Sequence, residues 1–99
     1  MNAPTGFRLD IVAPTVLAVN GVLDFGTAAA ALAAMRAALD GEVTQLDLAG
    51  VSHCDSAGLA CVLAAAAEAN RRGRPLRVVG MPASMQALAQ VCEVDTLLA

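Results

Sequence analysis

The segment His53-Cys-Asp-Ser-Ala-Gly-Leu59 holds most of the residues whose types and spacing could do chemistry. It offers an imidazole, a thiol, a carboxylate and a hydroxyl within four positions. A nucleophilic serine needs a base within hydrogen-bond reach. His53 is the chain's single histidine and precedes Ser56 by three residues in what reads as a tight turn. The segment also lacks the G-x-S-x-G elbow of serine hydrolases. Cys54, Cys61 and Cys92 form no C-x-x-C pair and, with His53, lack the ligand spacing of a zinc site. No metal, no cofactor and no catalysis are expected. The odd thiol count fits a reducing compartment, with the cysteines serving as small hydrophobes.

A capped helix accounts for these residues better. Asp55 is a natural N-cap, its carboxylate able to accept from the free amides of Ala57 or Gly58. Ser56 then takes the first helical position with its hydroxyl outward. Gly58 is the unusual choice, because glycine inside a helix costs about 1 kcal/mol relative to alanine. In a chain with 23 alanines, it implies a close approach to the backbone, either by another element of the same domain or by a foreign protein.

The elements that must position this segment follow from periodicity. Phe7–Val12 and Thr15–Asn20 read as strands joined across Ala13-Pro14, too short a connector for anything but an antiparallel hairpin. Gly21–Gly26 reads as a loop, with Thr27 as N-cap of a helix over 28–39. On that helix Ala28, Leu32, Met35 and Leu39 share a face, and Asp40-Gly41 ends it. Gln45–Ala49 is a third strand and Gly50–Asp55 a loop. Ser56–Arg71 is the clearest helix, with Leu59, Val62, Leu63 and Ala66 inward and Gly73 and Pro75 beyond its end. Leu76–Val79 is a fourth strand. Pro82 starts a last helix that turns Met85, Leu88, Ala89 and Cys92 inward, and 93–98 form one more helical turn. The order β-β-α-β-α-β-α, with helices following strands through short joints, predicts an α/β domain whose four-stranded sheet is mixed and mostly parallel. Residues 1–6 read as a flexible tail and 7–99 as one domain.

Composition narrows the partner class. The net charge is −3 and lysine is missing. Nucleic-acid binding needs basic surface to displace counterions, and often aromatics for stacking. Phe7 and Phe25 are the only aromatics here. Arg71, Arg72, Arg74 and Arg77 form one basic cluster, read as solvating a helix end and favouring its negative pole. No basic region with a sustained apolar stretch opens the chain, and the longest apolar run, Ala57–Ala67, falls short of the roughly 20 residues of a membrane span. A cytoplasmic protein is expected, peripheral to a membrane only through its partner.

Four stretches in this order resemble the STAS family of sulfate-transporter and anti-sigma-factor-antagonist domains: Gly21-Val-Leu-Asp24, Leu46-Asp-Leu-Ala-Gly-Val51, Asp55-Ser-Ala-Gly-Leu59 and Gly73-Arg-Pro-Leu-Arg-Val-Val79. Within that family the chain looks most like the small STAS subunits of bacterial Mla-type phospholipid-trafficking ABC transporters. The stretches behind this are Asp55–Leu63, Pro82–Ala89 and Val94–Leu98. The resemblance implies a STAS fold and a non-catalytic subunit that binds and supports the transporter's ATPase. It places the interaction surface at the start of the Ser56 helix (His53, Asp55, Ser56, Ala57, Gly58, Leu59) and on the Gly21–Phe25 loop (Asp24, Phe25). The family's functional hydroxyl maps to Ser56. A second implied function is an anti-sigma factor antagonist switched by a partner kinase that phosphorylates Ser56. A phosphate adds about −1.5 to −2 charges. The helix N-terminus attracts it by only about 0.3–1 kcal/mol at an exposed site, while Asp55 repels it. Such a switch would act mainly by putting bulk and charge into a contact surface.

Overall fold

The computed structural model describes residues 6–98. Strands β1 (Phe7–Ala13) and β2 (Val16–Leu23) pair antiparallel, as their short connector requires. Helix α1 (Ala28–Ala38) leads to strand β3 (Gln45–Cys54), helix α2 (Ser56–Arg71) to strand β4 (Arg77–Val79), and helix α3 (Ala83–Val91) to a 3-10 turn over Asp95–Leu98. The sheet order is β1-β2-β3-β4, with β2, β3 and β4 mutually parallel. Both crossovers step to the next strand in the same direction. This puts the helices on one face, where α1 packs on α2 and α2 on α3. The α/β class, the mixed sheet and the element order agree with the sequence reading.

The core lies between this helical layer and the alternate residues Leu17, Val19, Leu46 and Leu48 of the two central strands. Small side chains on α2 (Cys61, Ala65, Ala66, Ala69), all buried, let it lie close to α1 and the sheet. Met35 and Met85 fill the space that the scarcity of aromatics leaves. The other face of the sheet carries Arg8, Asp10, Asn20 and Asp47 and, among the described residues, no helix. There Arg8 Nε and Asn20 Nδ2 both donate to Asp10 Oδ2, at 2.8 and 3.2 Å.

Several sequence expectations change. The loops read at Gly21–Gly26 and Gly50–Asp55 are largely strand, because β2 and β3 stay paired as far as Leu23 and Cys54 through two register shifts. Gly21 has φ of +96° and leaves room for Gly6, whose carbonyl accepts from Val22 N–H. Gly6 is therefore tied to β2 rather than part of a free tail; residues 1–5 of that expected tail lie outside the described residues. Pro82 is the N-cap of α3, one position before its first turn. On the helices, Ala31 joins Met35 and Leu39 at the core. Leu63 and Leu88 are only partly buried, and Cys92 is exposed, since α3 has ended by that point.

Candidate functional site

Because β2 and β3 are parallel neighbours, the loops leaving their carboxyl ends meet. In open α/β sheets this end of the strands is where ligands bind. One loop is Asp24–Thr27, which enters α1. The other is Asp55, which enters α2 directly.

Asp55 joins the two. Its Oδ1 accepts from Gly58 N–H at 3.0 Å, the N-cap bond expected of it. Its Oδ2 accepts from Phe25 N–H at 3.1 Å, across thirty residues of sequence. The Asp55 backbone N–H adds a bond to Leu23 O at 3.3 Å. The Gly58 amide is the main cause holding this carboxyl below its ordinary range, with the Phe25 and Ala57 amides and His53 in support; partial burial opposes them.

Asp24 organises the other loop. Its Oδ1 accepts from Gly26 and Thr27 N–H at 2.9 and 3.1 Å, and its carbonyl from Ala28 N–H at 2.8 Å. Thr27 stands at the N-cap position but makes no side-chain capping bond. Its hydroxyl turns back, donating to Val22 O and accepting from Asp24 N–H. Thr27 thus closes the turn instead of capping α1, and the Asp24 carboxylate holds the amides that lead into the helix.

These bonds fix Phe25 in the open, with 88% of its surface exposed. Ser56, which follows Asp55 as the first residue of α2, is exposed, and so is His53 at the end of β3. Ala57 is half-buried. Gly58 and Leu59 are different. Leu59 sits in the core. A Cβ on Gly58 would overlap the Leu23 carbonyl oxygen and lie 2.9 Å from the Leu23 Cβ. The close neighbour that Gly58 called for is thus β2 of the same chain. These two residues seat the helix and present no side chain outward, which corrects their place on the expected surface.

The sequence reading missed what lies alongside. Phe25, Ala28, Leu32, Ala57, Ala60 and Ala64 border an open apolar groove of about 510 Å³ between α1 and α2, with Cys61 at its base. Its signal was the density of alanines on both helices, which marks close packing but not what packs. Among the described residues no hydroxyl, carboxylate or imidazole lines the groove.

The family model described as "Mlab, STAS domain" matches residues 11–99. Among curated proteins no relative matches the chain. Among solved structures, the anti-sigma factor antagonist SpoIIAA in its unphosphorylated form is 22% identical, with a TM-score of 0.65, over 85% of this chain and 81% of that one. The Bacillus cell fate determinant SpoIIAA in the phosphorylated form is 21% identical, with a TM-score of 0.67, over 92% and 86%. At these identities the likeness is one of fold. The family match spans nearly the whole chain, from within the first strand through the site and α3, and on that ground the chain belongs to the MlaB-type STAS domain family.

Proposed function

We propose that this chain is a non-catalytic docking subunit whose partner is the ATPase of a Mla-type phospholipid-trafficking ABC transporter. The observation behind this is Phe25, an aromatic side chain held out in solvent by the bond from its backbone N–H to Asp55, the residue before Ser56, and lining an apolar groove. Exposed aromatics on a fixed backbone are the usual anchors of protein interfaces. The Asp24 and Asp55 carboxylates are engaged by backbone amides, so the surface offers a partner mainly apolar area, with the exposed Ser56 and His53 as its polar side chains. The ATPase is chosen on the MlaB description of the family and on the resemblance of Asp55–Leu63 to transporter subunits. Among the described residues no helix is long and apolar enough to cross a membrane, so a membrane location would come through the partner.

Replacing Ser56 by Glu introduces a charge at the centre of this surface, and Phe25→Ala removes the anchor. Each should cost most of the affinity for the co-expressed ATPase, measured by co-purification and calorimetry, with the circular dichroism spectrum unchanged. Undiminished affinity in both would reject the surface. A second reading has its own support: SpoIIAA, of the same fold, is known phosphorylated and unphosphorylated, and Ser56 is accessible to a kinase. An anti-sigma factor kinase that captures the chain and phosphorylates Ser56, where the ATPase fails to bind, would replace the transporter reading with this one.

A further inference from the structure

The outer strand of the sheet carries a pattern that the docking surface does not use. β1 is an edge strand, and among the described residues no strand pairs with its free side. Val22 N–H donates to Gly6 O at 2.9 Å, which makes Gly6 and Val22 a hydrogen-bonded pair of the β1–β2 ladder. Antiparallel ladders alternate. The facing pairs Arg8–Asn20 and Asp10–Ala18 therefore also exchange bonds. The N–H and C=O groups of Phe7, Leu9 and Ile11 consequently point away from the sheet.

We infer that this edge pairs with β1 of a second copy, antiparallel about a two-fold axis at Leu9. In that register Leu9 faces its own counterpart and Phe7 faces Ile11. Every outward backbone group of the three residues finds a partner. Arg8 faces Asp10 of the other copy, twice by symmetry. Both charges lie on the helix-free face and are exposed. Ile11, on the helix side, is 58% exposed in the single chain and is covered by the facing Phe7. Sliding the register by two residues in one direction sets Arg8 against Arg8; in the other it sets Asp10 against Asp10. Like charges directly opposite are destabilising, so the charge pattern selects a single register. Charged residues on an edge usually block pairing with other chains; here their order along the strand makes the edge self-complementary. The contact is isologous and closes at two copies. It joins two four-stranded sheets into one of eight, and the two Ser56 sites lie at its opposite ends.

Only three residues per strand hydrogen-bond across the axis, so the dimer is weak and the test is concentration-dependent. Sedimentation equilibrium of the full chain should show a monomer–dimer equilibrium. Amide exchange of Phe7, Leu9 and Ile11 should slow as the dimer fills, with that of Arg8 and Asp10 unchanged. R8D or D10R alone turns both symmetric charge pairs repulsive and should weaken association on the order of tenfold; the swap R8D/D10R should restore it. Because Asp10 also accepts from Asn20, I11P serves as an independent variant. It removes one outward donor at an exposed side chain, a place where an edge strand tolerates proline, and should abolish the dimer while the fold persists. A monomer at all concentrations up to about 1 mM, the range of the weakest specific contacts, would overturn the inference. So would a dimer whose Phe7, Leu9 and Ile11 amides exchange as freely as in the monomer, or one that the charge swap fails to restore.

Discussion

Asp55 does two jobs with one carboxylate, and only one of them was legible in the sequence. Its bond to Gly58 is local, and the Asp-x-x-Gly spacing next to an apolar run announces it. Its bond to Phe25 depends on β2 and β3 being neighbours, which no local pattern carries. This second bond fixes the exposed aromatic, so protonating Asp55 should loosen the site before the fold. The folded-state pKa lies below the ordinary value, so the tie is fully present above about pH 4 and is lost as pH falls through the lowered folded value. Phe25 amide exchange should accelerate through that acid window, while the Leu46 and Leu48 amides stay protected. Equal loss at both places would mean that the tie has no separate existence. Gly58 makes the complementary point. Alanine there gains helix propensity but overlaps the Leu23 carbonyl. Overpacking of about 1–3 kcal/mol outweighs the roughly 1 kcal/mol gained, so Gly58→Ala should lower the urea midpoint despite the better helix former.

Among the elements, those defined by their own side chains were read closely, and those defined by a neighbour were not. Ser56–Arg71 came out to the residue because its apolar face lies within it and its cap, Asp55, and terminating glycine, Gly73, lie within two residues of its ends. The ends of β2 and β3 did not. Gly21, Gly50 and the polar Ser52-His53 look like turns, and only mutual pairing keeps them extended. The basic cluster shows the same division. Arg71 bonds to Glu68 on its own helix, as a helix-end arginine should. Arg72 also reaches Asp40, and Arg74 donates to the Leu39 and Gly41 carbonyls at the end of α1. These two arginines pin the carboxyl ends of α1 and α2 together at the far end of the groove from Phe25. Arg74→Ala removes the partner of two helix-end carbonyls and should cost about 1 kcal/mol in urea unfolding. Arg71→Ala gives up only an exposed pair and should be near neutral. Equal effects would show that the cluster solvates a single helix end and clamps nothing.

At the scale of the whole molecule the layered α/β plan could be read from strand and helix order alone, down to the final helical turn, because each connector was short enough to dictate its neighbour. Which surfaces stay uncovered could not be read, since an alanine face looks the same whether it meets a helix or water. The three cysteines sample both conditions. Cys92 is exposed just past α3, whereas Cys54 at the end of β3 and Cys61 within α2 are buried. Burial raises both of their pKa values and pushes Cys61 up to about 11. At neutral pH the buried pair therefore offers a labelling reagent neither access nor thiolate. In the native protein a disulfide reagent should take one thiol quickly and the other two only at the rate of unfolding, and strong denaturant should bring all three to one fast phase. Because Cys61 forms the base of the groove, its rate also tests the helical layer. If Cys61 labels far faster than Cys54, then α1 and α2 part without the sheet unfolding. A partner would in that case meet a groove that opens rather than one already formed, and would bind more slowly for it.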